Sequence, residues 1–250
     1  MRTRWDYTEL AQAYLKRPNY AASAIDAMLE RAFVQAPAPA CDVGAGVAHL
    51  TLELLARGLT VVPVEPNDAM RRLGQERTRA RFPATVWVEG TGEQTGQAGG
   101  AFSLVTFGSS FNVTDRQRAL AEAARILQPR GWFACLYNHR DLHDPLQDRI
   151  ERTIRDHIPE YEYGSRREDQ TPAIDESGLF GPVHVLEGSV LHRQSRADCL
   201  EAWRSHATLQ RQAGARFDEV IQSIAAQLDA LPGQVVEVPY TTRVWLAQAI

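Results

Sequence analysis

The chain has 250 residues, 44% hydrophobic and 23% charged, which is enough apolar content to bury a core in one large domain. A formal net charge of −4 leaves no electrostatic footprint for nucleic acid, and no window approaches the roughly 18 apolar residues that a bilayer span needs. The chain start lacks the apolar stretch of a signal peptide and the three cysteines lack metal-ligand spacing, so a soluble protein of the reducing cytoplasm is expected.

Helices are expected over 7–16 and 20–34, separated at Pro18, and Ala36-Pro37-Ala38-Pro39 is a stiff connector into a buried strand over 40–43. Short apolar runs then alternate with helical stretches, the pattern of a parallel sheet with crossover helices. Strands fall at 60–64, 85–88, 102–107 and 132–137, and helices at 47–56, 68–81 and 116–127. Gly58 suits a left-handed cap at the end of the first of these helices. A helix over 145–157 follows, and the stretch from Pro159 to Pro182, rich in charge, Gly and Pro, reads as a long loop or lid. A strand over 183–192, helices over 197–206 and 216–231, and a last strand or pair of strands over 235–246 complete the chain. The expected fold is therefore α/β: a doubly wound, mostly parallel seven-stranded sheet in a single domain, 1–250. Residues 1–35 form an N-terminal helical lid, 40–138 the ligand-binding core, and 139–250 a half that completes the sheet, with a helical cap inserted before the last strand.

The sharpest local signal is Asp42-Val43-Gly44-Ala45-Gly46, directly after the first strand. A strand-to-helix turn here needs glycines so that the backbone folds tightly and approaches a ligand without a Cβ in the way. Glu65 stands at the end of the second strand, 23 residues after Asp42, where a carboxylate can accept both hydroxyls of a ribose. Together they point to an adenosine-containing ligand. A dinucleotide would want a third glycine at position 49, which is His49, so NAD and FAD are disfavoured. An Asp two residues before the first glycine suits a cationic ligand, whose ammonium or bound water it can meet.

These residues carry a family resemblance. Asp42-x-Gly44-x-Gly46, Glu65, Glu89-Gly90-Thr91-Gly92-Glu93 and Phe107-Gly108-Ser109-Ser110 resemble, in order, the strand-end motifs of class I S-adenosylmethionine-dependent methyltransferases. The resemblance covers residues 40–138 and implies that family's Rossmann-like fold, with S-adenosylmethionine as cofactor. It implies that Gly44, Ala45 and Gly46 pack along methionine and ribose, with Asp42 behind them, and that Glu65 holds the ribose. Asn67 and Met70 would flank the adenine, and Thr91, Gly92 and Glu93 would border it. Phe107, Gly108 and Ser109 would line the floor near the sulfonium, with Ser110 on the substrate side. The family often has a third glycine where this chain has Ala48, a position where helix geometry is expected to tolerate alanine.

Trp5, Tyr7, Tyr14 and Tyr20 crowd the first twenty residues, and Tyr7 and Tyr14, seven apart, share one helical face. Such a stripe serves packing or a ligand; aromatic faces stabilise a soft cation such as a sulfonium by about 0.5–2 kcal/mol. Residues 14–20 resemble the N-terminal lid of small-molecule methyltransferases, which implies Arg17 on the methionine carboxylate; an ordinary surface arginine is the alternative. The fifth strand ends in Tyr137-Asn138-His139-Arg140, at the edge where doubly wound sheets bind ligands. Asn138 and His139 are the polar candidates there, His139 as a general base or as a structural hydrogen-bonder. The cap offers Trp203, Ser205 and His206 over the substrate, and the loop 161–167 either closes over it or is surface. The remaining histidines lack ligand spacing, so no metal is expected.

Three functions fit. The first is methyl transfer to a small molecule by a monomer or homodimer, yielding S-adenosylhomocysteine, with no membrane or nucleic-acid partner. The second follows from a further resemblance. Residues 5–11 and 201–207 look like a methyltransferase-like group of secondary metabolism, some of whose members cyclise S-adenosylmethionine to azetidine-2-carboxylate and methylthioadenosine. Asn138, Ser205 or Tyr7 would then orient the attacking amine. The third is a non-catalytic S-adenosylmethionine-binding subunit.

Overall fold

The computed structural model describes residues 7–250. Proline disfavours helix in the residue before it and lacks the N–H a helix interior needs. The segment before Pro18 accordingly folds as a 3-10 turn (Thr8–Leu10) and one turn of helix, α1 (Ala11–Tyr14), not as the longer helix expected over 7–16. Beyond the break, α2 (Ala22–Arg31) buries Ala24, Ile25, Met28 and Leu29 on one face.

The core then follows strand by strand: β1 (Pro39–Val43), α3 (His49–Ala56), β2 (Thr60–Val64), α4 (Asp68–Arg79), β3 (Phe102–Gly108), α5 (Arg116–Ile126) and β4 (Leu127–Arg140). After it come α6 (Pro145–His157), α7 (Thr171–Glu176), β5 (His184–Ser195), α8 (Arg196–Arg204), α9 (Ala207–Ala213), α10 (Phe217–Asp229) and β6 (Val235–Gln248). One sheet holds all six strands in the order β2-β1-β3-β4-β6-β5. The pairings from β2 to β4 are parallel, and β6 runs antiparallel to both β4 and β5. The Rossmann-like class is as expected, with six strands in place of seven.

The missing strand has a chemical cause. Around 85–88 the only ladder contact is a bridge between Val64 and Val88. Val88 donates to the Pro63 carbonyl and accepts from the Glu65 amide, both at 3.0 Å. The next bond of the ladder would need an N–H from Pro63, which has none. Pairing stops there, and Val86 is left exposed.

Alternation along the strands supplies two helical layers. Ala40, Leu104, Ala134 and Leu136 face α2 and α3, whereas Cys41, Val105, Phe133 and Cys135 face α5. A third cluster joins α6, α8, α9 and α10 over Val236, Val238 and Tyr240 of β6, so the cap inserted before the last strand has its own apolar centre. α9 lies between the two helices expected there, and 235–246 is one continuous strand. The stretch 159–182 is packed: Tyr161 and Ile174 are buried, and it contains a 3-10 turn, Ser165–Arg167, and α7. The chain leaves β1 toward β2 on one side and returns to β3 on the other. The loop after β1 therefore sits at the switch point, where open α/β sheets bind ligands.

Candidate active site

A cavity of about 950 Å³ opens at the carboxyl ends of β1–β4, beneath the lid and cap. Its floor is the glycine turn. Gly44 (φ +68°) and Gly46 (φ +55°) adopt the left-handed region that favours glycine, and the Val64 carbonyl accepts the amides of Gly44 (2.8 Å) and Ala45 (3.0 Å). The Glu65 carboxylate accepts the Gly46 and Asn67 amides, each at 2.8 Å, which fixes it at the cavity wall. Asn67 caps α4 by accepting the Met70 amide. Asp42 lies just below, buried, and accepts from the hydroxyls of Thr51 (2.6 Å) and Thr106 (2.9 Å). Burial raises both carboxylates, Asp42 to about 6 and Glu65 to about 7, against the opposing pull of these hydrogen bonds. Thr91, Gly92 and Glu93 form a tight turn on the same wall, where Glu93 accepts the Asp115 amide at 2.7 Å.

Ala48 departs from its expected geometry. It stands at φ +73°, ψ 27°, in the left-handed region and not in helix geometry, as the N-cap of α3. A Cβ is disfavoured there by about 1–2 kcal/mol, so alanine occupies a strained glycine position.

The lid contributes aromatic faces. Tyr7 and Tyr14 pack edge-on at 5.5 Å, and both line the cavity with Met70 and Asn67. His49 fastens this segment to α3: its Nε2 lies 2.9 Å from the Tyr14 carbonyl and its Nδ1 3.1 Å from the Asn19 side chain. Tyr20 is buried on the wall with its hydroxyl 3.0 Å from that of Ser109, beside Gly108 and the core ring of Phe107. Ser110 donates to the Val43 carbonyl at 2.6 Å. Trp5 lies outside the described residues.

The polar candidates at the reactive end are engaged in structure. Asn138 lines the cavity, but its side-chain oxygen accepts from Thr242 (2.5 Å) and its nitrogen donates to the Asn19 carbonyl (3.0 Å). Thr242 in turn accepts the Ala21 amide at 2.7 Å, so this pair ties the lid to β4 and β6. His139 is off the cavity wall. It stacks on Tyr137 and its Nε2 donates to the Arg166 carbonyl at 3.0 Å. Burial, then the nearby arginines Arg167, Arg166 and Arg243, lower it to about 4, so it stays neutral and is not poised as a base. Ser205 is also off the wall, fully buried, bonded to the Ala202 carbonyl and to Arg17 Nε (3.1 Å). Arg17 therefore bridges lid and cap while stacking 4.1 Å over Tyr14. Trp203 is buried behind the wall, stacked on His206, which alone of the three cap candidates lines the cavity.

Residues 41–135 match a family described as a methyltransferase domain. Over that stretch the chain is similar to methyltransferase domains. A protein of Mycobacterium tuberculosis named only as an uncharacterized methyltransferase is 35% identical over 125 residues, covering 50% of this chain and 48% of that protein. The chain thus spans about half the length of the curated relatives it matches. The YcgJ protein of Bacillus subtilis shares the fold at TM-score 0.56 and 15% identity, over 90% of this chain and 97% of that one. So does phosphoethanolamine N-methyltransferase 2 of Haemonchus contortus, solved in complex with S-adenosyl-L-methionine, at TM-score 0.56 and 14% identity over 99% and 58% of the two chains.

Two expectations follow from these contacts. Asn138→Ala leaves the buried Thr242 hydroxyl and the Asn19 carbonyl without their partner, which costs about 2 kcal/mol. Faster hydrogen exchange at the Ala21 amide, with a lowered melting temperature, is the expected readout. The second concerns pH. Glu65 ionises near 7 in the folded chain against 4.5 for an ordinary carboxylate, so its contribution to stability is full below pH 4.5 and is lost as the pH rises through 7. Glu65→Gln removes that loss. Relative to the parent it should gain stability between pH 4.5 and 7, by up to about 3 kcal/mol; melts across this range that show a constant difference refute it.

Tyr137 was missed by the sequence reading. It lies on the cavity wall, buried, with a hydroxyl that has no hydrogen-bond partner among the described residues. Burial holds its ionisation well above the usual range for tyrosine, so it is a donor and not a base. Its place one residue before Asn138 on an apolar strand made it look like core. No helix is long and apolar enough to cross a membrane, and no cluster of metal-ligating side chains occurs, among the described residues.

Proposed function

We propose that the chain binds S-adenosylmethionine at the switch point and transfers its methyl group to a small-molecule acceptor. The observation that carries this reading is the Glu65 carboxylate, held by the Gly46 and Asn67 amides at the edge of the cavity. Each carboxylate oxygen keeps acceptor capacity beyond the one amide it takes, and a cis-diol matches that pair. The Tyr7–Tyr14 pair adds the aromatic faces that a sulfonium favours. Asn67, Met70 and the turn Thr91–Glu93 would enclose the adenine, and Phe107, Gly108 and Ser109 would form the floor. Arg17, already turned toward the cap, would meet the methionine carboxylate. Asp42, one layer down, would act on the ligand only through the loop it supports.

When bound, S-adenosylmethionine supplies an electrophilic methyl whose sulfide leaves without needing an acid. The chain's own part is positioning and exclusion of water. Asn138 acts by holding residues 19–21 of the lid over the site, and His139 by holding the backbone of Arg166. Tyr137 adds a hydroxyl donor to the wall. With no carboxylate or histidine poised as a base at this end, the acceptor atom is one that attacks as a neutral lone pair or arrives ionised.

The test is to incubate the pure chain with S-adenosylmethionine, alone and with candidate acceptors, and to identify products by mass spectrometry. Methyl transfer gives S-adenosylhomocysteine only when an acceptor is present. Methylthioadenosine with azetidine-2-carboxylate, formed from the cofactor alone above the spontaneous rate, overturns this reading in favour of cyclisation.

A further inference from the structure

The cavity wall carries four carboxylates and six arginines, and three of the arginines gather at one end; Arg17, Arg118 and Arg211 lie elsewhere on the wall. Its carboxylates are Asp42 in β1 and Glu65, Glu93 and Asp115 in the connections after β2 and β3, whereas Arg140, Arg166 and Arg167 come from the end of β4 and the turn beside it. No ion pair neutralises these three guanidinium groups among the described residues. Acids close by are engaged elsewhere: Glu151 with Arg155 at 3.0 Å and with Tyr163, Glu168 with Arg116 at 3.9 Å, Asp169 with the Trp245 indole N–H at 2.8 Å, and Asp141 with the His143 amide at 2.9 Å. Neutral groups hold the arginines instead. Arg140 lies 3.7 Å over the Trp203 ring, and Arg167 lies 4.1 Å over Tyr163 while donating to the Arg140 carbonyl at 3.1 Å. The Arg166 guanidinium lies 2.7 Å from His206 Nε2.

Donors are left over. The Nε atoms of Arg166 and Arg167 are buried without a hydrogen-bond partner. Both N–H groups have therefore been taken out of water with nothing in return, which native structures rarely tolerate unless something else supplies the acceptor. Like charges have also been brought together: burial, then Arg17, Arg140 and Arg167, pushes Arg166 down to about 10. Neutral imidazole accepts at one ring nitrogen only, so His206 serves either the Arg166 guanidinium at Nε2 or the Leu209 amide at Nδ1, and it adds no negative charge to offset the cluster. Planar guanidinium groups with free N–H donors are suited to oxyanions, which they take in bidentate fashion.

We propose that Arg140, Arg166 and Arg167 form an anion subsite, and that the methyl acceptor carries a carboxylate or phosphate seated there. This rests on the reading of the cavity as a methyltransferase site, with Arg17 assigned to the cofactor's own carboxylate. The acceptor's nucleophile would then lie between this anchor and the glycine turn. His139 is a positioning residue for the subsite, through the backbone of Arg166.

The test uses inorganic phosphate and benzoate as probes, titrated by calorimetry into the chain saturated with S-adenosylhomocysteine, with sodium chloride at equal ionic strength as control. At least one probe is expected to bind the loaded chain. Arg166→Gln and Arg140→Gln should each weaken that binding at least tenfold while changing S-adenosylhomocysteine affinity less than threefold. Arg166→Lys, which keeps the charge and loses the fork, should fall between. Melting temperatures establish that each variant folds, and Arg140→Gln stands in if Arg166→Gln does not. Failure of both probes to bind, or displacement of S-adenosylhomocysteine by them, overturns the proposal, the latter because the cluster would then hold the cofactor's own carboxylate. If the parent chain does not bind S-adenosylhomocysteine, the cofactor reading falls instead. The probes are then titrated into the free chain, where arginine-dependent binding sustains the subsite and its absence ends it.

Discussion

Glu65→Ala is expected to weaken binding of S-adenosylmethionine, S-adenosylhomocysteine and adenosine alike by on the order of a hundredfold. Two hydrogen bonds to a charged carboxylate would be lost, each contributing about 1.5–3 kcal/mol, and the low end of their sum, about 3 kcal/mol, corresponds to slightly more than that factor. Adenosine is the informative ligand because it lacks the methionine end: equal losses place the effect at the ribose. The pH dependence has a definite sign. A diol donates to the ionised carboxylate, so binding favours the form that predominates above about pH 7 in the buried site. Affinity should therefore fall as the pH drops below 7 in the parent and stay flat in Glu65→Gln. Calorimetry at several pH values checks this, and unchanged adenosine affinity in Glu65→Ala refutes the placement. Above pH 7 the same carboxylate is a burden on the fold, because burial favours its neutral form. A residue that strains the folded state while facing a cavity suggests service to a ligand.

Legibility in the sequence followed how local each cause was. The glycine turn, Glu65 and the order of strands could be read because glycine backbone freedom, an acidic strand end and apolar periodicity are properties of short segments. The short helix before Pro18 and the lost pairing at Pro63 were legible in principle, since each follows from one missing N–H. Ala48 was misjudged because its left-handed backbone depends on how the turn enters α3, not on its neighbours' identities. The reactive end was the hardest. Asn138, His139 and Ser205 are polar residues where a ligand was expected, yet their partners lie 119, 27 and 188 positions away, at Asn19, Arg166 and Arg17. Only the folded chain shows those donors and acceptors to be engaged. Arg140, Arg166 and Arg167 present the converse case: three among many arginines, two of them in a stretch without periodicity, gathered only by tertiary contact.

The two glycines of the turn should separate folding from binding. A Cβ at Gly44 would stand 2.4 Å from Ser110 Cβ and 2.9 Å from its Oγ, and Ser110 is buried and held to the Val43 carbonyl at 2.6 Å. It has little room to give. Overpacking costs about 1–3 kcal/mol, and a side chain at φ +68° adds about 1–2 kcal/mol. Gly44→Ala is therefore expected to destabilise the chain by about 3 kcal/mol, a drop of roughly 6–12 °C for a domain of this size. Gly46 shares the left-handed backbone, at φ +55°, but a Cβ there meets nothing within 4 Å. Gly46→Ala should lose only about 1–2 kcal/mol of stability, the backbone term alone. The open space in front of Gly46 is the cavity itself, beside the amide that Glu65 accepts. A methyl group there would stand where the ribose and methionine are proposed to lie, so Gly46→Ala should weaken S-adenosylhomocysteine binding at least tenfold while the fold stays largely intact. Thermal melts and calorimetry on the pair decide the matter. If Gly46→Ala binds S-adenosylhomocysteine as tightly as the parent, the ligand does not pass over this turn.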